Sequence, residues 1–194
     1  TAVDSVCGTE YNLHVITTAS ADGQWAAYDT TMTLLDPQPI FEPSIYDDTV
    51  LVTIGNYSGY FQAVIFEWTE KNQVNGVECF SSVTQEIIFA REPVASVGAS
   101  DEAEICGSCV QFDADTTGSG WAVGTWIPRG LIGDFEDDDT HRPDAVFCIT
   151  EEGNFGDTAH VRAPMLWAMR NYGCISVDTM WVTFYQRPVA NAGL

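Results

Sequence analysis

The chain has 194 residues, of which 45% are hydrophobic and 12% aromatic. That is enough for one large domain or two of about 100 residues, and it excludes a disordered acidic polymer. Only seven Lys+Arg stand against 28 Asp+Glu, a formal charge of -21, which repels nucleic-acid phosphates and anionic bilayers alike and excludes a nucleic-acid partner. Such a surface suits solubility, self-repulsion between neighbouring fibres and divalent cations.

Strand signals run the length of the chain. Tyr11, Leu13 and Val15 alternate with Asn12 and His14, Val50, Val52 and Ile54 form a second run, and Tyr60 to Trp68 and Val83 to Ala90 are longer alternating stretches. The second half answers with Ala145 to Thr150, Ala159 to Met169 and Ile175 to Gln186. Between these lie Gly, Asp, Asn and Pro clusters, with no long helical period and its caps. Short strands at regular spacing predict an all-β sandwich architecture rather than a parallel sheet. No stretch approaches the ~18 apolar residues of a membrane span, so direct membrane insertion is not expected. No basic-then-apolar leader is present, which reads as a mature or internal segment.

The two halves repeat. Cys7 and Cys106 lie 99 residues apart, Trp25 and Trp121 96, Trp68 and Trp167 99, and Cys79 and Cys174 95. The endings agree best: Ile88 to Gly98 overlies Thr183 to Gly193, with both prolines, both glycines and both Pro-Val-Ala steps in register. Drift in the offset means insertions in surface loops of one repeated fold. We therefore expect two tandem immunoglobulin-like β-sandwiches, residues 1–95 and 96–194, joined through Pro93 to Gly98 as a rigid rod and flanked by further repeats.

The order Cys-Gly, Gly-x-Trp, an aromatic strand ending in Trp, a turn, Cys, and a last strand running Phe184 to Gly193 resembles the Ig-like or PKD-like repeats of giant Bacteroidota surface adhesins. It covers both halves, and the Pro-Val-Ala-Asn-Ala-Gly ending carries most of it. The resemblance implies export by the type IX route, an extracellular place on the cell surface, and a stalk or filament segment in adhesion or gliding motility. Its partners would be neighbouring repeats of the same chain, other copies in a filament, or surface glycans. Cys109, Cys148 and the acidic loop of the second half are not parts of that pattern.

Six cysteines with few histidines favour disulfides and an oxidising compartment. Cys106-Gly-Ser-Cys109 has the spacing of a redox pair, but Cys106 stands where Cys7 stands and a strand pattern, Val110-Gln-Phe-Asp, follows. Structural zinc on Cys106, Cys109, Cys148 and Cys174 would lack a second CxxC pair. Repeat register pairs Cys7 with Cys79 and Cys106 with Cys174, leaving Cys109 with Cys148.

Catalysis has little to stand on. His14, His141 and His160 have no partners at motif spacing, and no nucleophile elbow, zinc helix or phosphate loop accompanies them. We expect no enzyme and no required cofactor. Asp134, Glu136, Asp137, Asp138 and Asp139 form an acidic loop whose oxygens suit calcium, though the spacing is not that of an EF-hand; a merely solvated loop is the competing reading. Asp36, Asp47 and Asp48 are a weaker counterpart in the first half. Trp25, Trp68, Trp121 and Trp167 recur and read as core; Trp126 and Trp181 lack counterparts and are expected at the surface, where they could serve the alternative function, a carbohydrate- or ligand-binding module. Four places also match the pattern that exported Bacteroidota-type proteins share for O-glycosylation, Asp, then Ser or Thr, then a small or aliphatic residue: Ser5, Thr49, Thr158 and Thr179. Asp before Ser or Thr also simply marks a turn into a strand.

Overall fold

A computed structural model describes residues 3–17, 22–150, 154–155 and 158–188. The chain divides into two compact units: one comprises Thr1–Glu92 together with Tyr172–Cys174, the other Pro93–Asn171 and Ile175–Leu194.

In the first unit, β1 (Val3–Cys7), β7 (Val77–Ala90), β6 (Phe61–Val74) and β3 (Asp22–Tyr28) form a four-stranded sheet in the order β1-β7-β6-β3. A three-stranded sheet faces it, ordered β2 (Glu10–His14), β5 (Thr49–Thr53), β4 (Ile40–Glu42). β1 runs parallel to β7, with Cys7 opposite Ala90; every other pairing in the unit is antiparallel. Between β1 and β2 the chain passes from one sheet to the other through Gly8-Thr9 alone, and Gly8 supplies the positive φ of 95° that this tight step needs. The alternation read in the sequence becomes the inward face: Leu13, Val50, Val52, Val64, Phe66, Ile87 and Phe89 are all buried in one core with Trp25, Phe41 and Trp68. This is the immunoglobulin-like sandwich, with β1 added to the edge of the last hairpin.

The second unit repeats the plan strand for strand. β8 (Glu102–Cys106), β14 (Cys174–Tyr185), β13 (His160–Asn171) and β10 (Val123–Pro128) form the larger sheet, and β9 (Cys109–Gln111), β12 (Val146–Ile149) and β11 (Gly133–Phe135) the smaller. β8 runs parallel to β14 with Cys106 opposite Tyr185, and Gly107-Ser108 makes the step between sheets, with φ 136° at Gly107. Phe112, Trp126, Phe147, Met165, Trp167, Met169, Val182 and Phe184 lie within its core. Val97 belongs to this core as well, and Val97 N–H donates to Asp178 Oδ2 at 2.9 Å, so the Pro93 to Gly98 segment enters the second unit. Its counterpart after Pro188 lies outside the described residues.

The tryptophans correct the sequence register. Trp25 pairs across strands with Trp68, and Trp126 with Trp167. The counterpart of Trp25 is therefore Trp126, which is 1% exposed rather than at the surface. Trp121 sits in the turn ahead of β10. Gly-x-Trp occurs as Gly23-Gln24-Trp25 and Gly124-Thr125-Trp126, whereas Ser119 stands two residues before Trp121, so the motif read in the repeat order belongs to Trp126. A Cβ on Gly23 would overlap the Trp68 indole, and one on Gly124 the Trp167 indole. Each glycine is the floor on which the partner strand's ring lies. The indole N–H groups repeat as well: Trp25 Nε1 donates to Asp47 O at 2.9 Å, Trp126 Nε1 to Pro143 O at 3.3 Å.

Candidate functional site

The sulfur chemistry is concentrated where the strands change sheets. Cys109 and Cys148 are directly opposed on β9 and β12, with Cα atoms 4.0 Å apart, and are bridged as expected. The other expected pairings fail. Cys7 stands opposite Ala90 and is eleven ladder positions from Cys79 on β7, which at about 3.3 Å per residue is roughly 36 Å. A disulfide needs Cα atoms within about 7 Å. Cys106, opposite Tyr185, is separated from Cys174 on β14 by the same eleven positions. Instead Cys7 is bridged to Cys174, with Cα atoms 5.4 Å apart, and Cys79 and Cys106 are exposed free thiols. Repeat register identified equivalent cysteines correctly; equivalence does not make two cysteines of one sandwich neighbours.

The bridge has company. Cys174 belongs to the segment Tyr172–Cys174 that groups with the first unit. There the Tyr172 ring lies 4.9 Å from that of Phe61, and Gly173 lies against Ser5, where an added Cβ would meet the Ser5 hydroxyl at 3.1 Å. Nearby, Tyr11 Oη donates to Asp4 Oδ2 at 2.6 Å and Ser5 N–H to Asp4 Oδ1 at 2.8 Å. The hydroxyl's bond first, then the amide's, holds the Asp4 carboxyl below the usual range. The same bond to Asp4 pushes the Tyr11 phenol up.

The pairing also settles the cysteine motif. Cys109 is committed to Cys148, so Cys106-Gly-Ser-Cys109 holds no exchangeable pair within itself, and neither Cys109 nor Cys148 offers zinc a thiolate.

The acidic loop follows β11 as a 3-10 turn over Glu136–Asp138, with positive φ at Asp137 and Asp138. Asp139 Oδ1 accepts from the His141 amide at 2.9 Å. Among the described residues, the one group of three metal-ligating side chains with converging atoms is Cys109, Glu136 and Cys148, and its two sulfurs are bonded to each other. Asp134, Asp137, Asp138 and Asp139 belong to no such group.

Each histidine meets a neighbour within its sandwich. His14 Nδ1 lies 2.8 Å from its cross-strand partner Thr49 Oγ1; His141 Nδ1 lies 2.8 Å from Gly124 O; the His160 ring is 5.8 Å from that of Tyr185. Trp181 is 40% exposed, as expected, but the Arg162 guanidinium sits over its ring at 4.8 Å and pairs with Glu102 at 2.6 Å. One face of that ring is therefore covered.

The glycosylation acceptors separate by environment. Ser5, Thr49 and Thr158 are exposed, while Thr179 is half-buried on β14. Thr179 N–H donates to Asp178 Oδ1 at 2.8 Å, the same local bond that Ser5 makes to Asp4.

No protein family and no curated protein matches the chain. Solved structures are similar to it: a titin structure of three Ig domains (12% identity, 95% of this chain and 63% of that one, TM-score 0.44), Sidekick-1 immunoglobulin domains 1–5 (10%, 93% and 37%, 0.44) and human CDH23 EC21-23 (10%, 95% and 72%, 0.32). The chain thus spans less than two thirds of that titin structure. Its own class, tandem immunoglobulin-like sandwiches with disulfides, is defined by the sheet orders and bridges described above. No helix among the described residues is long and apolar enough to cross a membrane.

Proposed function

We propose that this chain is a structural segment of an extracellular array, a stalk or filament portion of a secreted cell-surface adhesin. One observation carries the reading: two sandwiches of identical strand order, each with a cysteine at the end of its first strand and another eleven positions before the end of its last, follow one another in one chain. Disulfides support an oxidising setting, and a charge of -21 keeps neighbouring stalks apart. Export by the type IX route belongs to this proposal through the resemblance of the repeat endings alone. Electron microscopy of the full-length protein on its native cell tests the reading. A beaded extracellular fibre is expected, and a compact intracellular particle would refute it.

Calcium is a subsidiary part of the proposal, motivated by the carboxylates from Asp134 to Asp139 in an extracellular setting. Binding by the folded state alone raises Tm in calcium over chelator, an increment removed by Asp137→Asn with Asp138→Asn. Superimposable melting curves would reject it.

A further inference from the structure

The Cys7–Cys174 bridge joins two kinds of position, and the chain holds each kind twice. β1 and β8 both end on a cysteine, Cys7 and Cys106, opposite the final residue of the parallel last strand. β7 and β14 both carry a cysteine, Cys79 and Cys174, eleven residues before that end. One strand-end cysteine is bonded to one hairpin cysteine; the two that remain, Cys106 and Cys79, are one of each kind, and both are exposed thiols. The surroundings of the halves correspond as well. His160 opens β13 as Phe61 opens β6, and its exposed ring lies 5.8 Å from that of Tyr185, the residue opposite Cys106. The first hairpin presents Val77 and Phe80, 62% and 65% exposed, on either side of Cys79. Val77 shares the face of β7 that carries Cys79, while Phe80 turns to the other face, with Lys71 Nζ 5.9 Å from its ring.

We propose that Cys106 of one copy of this chain forms a disulfide with Cys79 of a second copy, repeating the Cys7–Cys174 bridge from chain to chain. A strand-end cysteine meets a hairpin cysteine, never its own kind; each copy bonds one neighbour through Cys106 and a different one through Cys79, a heterologous contact that builds an open linear series. The oxidant is a small-molecule or enzyme-borne disulfide. The Cys106 thiolate attacks one of its sulfurs and expels a thiolate; the Cys79 thiolate then attacks the Cys106 sulfur of that mixed disulfide and expels the second. Two cysteine thiols are oxidised to one disulfide, one oxidant disulfide is reduced to two thiols, and the two protons pass to those products.

This inference rests on the array reading, but the two fail separately. The test uses the full 194-residue chain in a glutathione redox buffer at physiological salt, which screens copy-to-copy repulsion beyond about 8 Å. Wild type is expected to give a ladder of disulfide-linked multimers on non-reducing electrophoresis, with a Cys79 to Cys106 linked peptide on mapping. Cys79→Ser and Cys106→Ser are each expected to remain monomeric alone and to form a one-to-one heterodimer when mixed, at least tenfold in excess of either homodimer. A statistical mixture of homodimers and heterodimers would overturn the proposal, as would wild-type monomers with alkylatable or glutathione-capped thiols. Neither result would bear on whether the parent protein forms a beaded fibre, which microscopy decides alone.

Discussion

Gly124→Ala probes the packing that orders each sandwich. The added methyl would fall inside the Trp167 indole, meeting Cζ2, Cη2 and Cε2 at once. The ring has nowhere to retreat: Trp167 is 1% exposed, and Trp126 stands 5.1 Å away, itself stacked on Phe112 at 4.0 Å. Overpacking in a closed core costs about 1–3 kcal/mol, and with three indole atoms in conflict we place this change at about 3 kcal/mol. For a unit of this size that lowers Tm by about 12–24 °C. Gly120→Ala is the control, because its Cβ would meet only Thr116 O at an ordinary 3.6 Å, and its Tm should stay within about 3 °C of wild type. Differential scanning calorimetry reads both, and Trp167→Leu in the Gly124→Ala background should return part of the loss through a positive coupling. If Gly124→Ala melts with wild type, the indole does not rest on Gly124 and the Gly-x-Trp explanation is wrong.

Removing the Cys109–Cys148 bridge by paired serine substitution opens a span of 39 residues, which in the chain-entropy model costs about 4 kcal/mol; urea titration should place the loss in the second unit. Tyr11→Phe removes the hydroxyl that depresses Asp4. Because the folded-state pKa of Asp4 lies below its unfolded value, the associated stability is present above that unfolded value and disappears as pH falls through the folded one. The difference between wild type and Tyr11→Phe should therefore be seen at neutral pH and shrink on acidification, and a difference that grows in acid would contradict the assignment.

Much of the fold was legible because its signals are local. Alternation of apolar residues placed Leu13, Val50, Val52 and Ile54 on the inner face. The site was less legible because it depends on which ends of long strands come together. Spacing shows that Cys7 and Cys79 have counterparts in Cys106 and Cys174, but only the parallel register of β1 on β7 shows that eleven ladder positions keep Cys7 and Cys79 apart. The Trp121 error has the same origin. Offsets near 99 drew attention to Trp121, whereas the packing requirement of a glycine two residues before the ring selects Trp126.

The surface modification can be argued site by site, because attaching a sugar to a hydroxyl removes its proton and leaves its oxygen able only to accept. At Thr158 the single hydroxyl proton lies within reach of two backbone carbonyls, Phe155 O at 2.6 Å and His160 O at 2.9 Å, so a glycosidic oxygen there would face acceptors with no proton to offer. The local loss is that one donor, because Phe155 O still accepts from the Thr158 amide at 2.8 Å, and a hydrogen bond of this kind is worth about 1 kcal/mol. Thr179 is half-buried within β14, so less of it is open to a hexose than at the three exposed positions. Ser5 is exposed but lies against Gly173 beside the Cys7–Cys174 bridge, so a sugar there competes with the hairpin tip for space. Thr49 meets no such conflict: it is exposed, and its oxygen can still accept from His14 Nδ1–H at 2.8 Å after modification. In protein from its native host we therefore expect glycan mass mapped chiefly to Thr49, with Ser5 second and Thr158 and Thr179 unmodified. Intact mass and peptide mapping decide it. A bare-polypeptide mass after correction for disulfides would remove the modification altogether, and a glycan on Thr158 with Thr49 bare would refute the hydrogen-bond reasoning that ranks them.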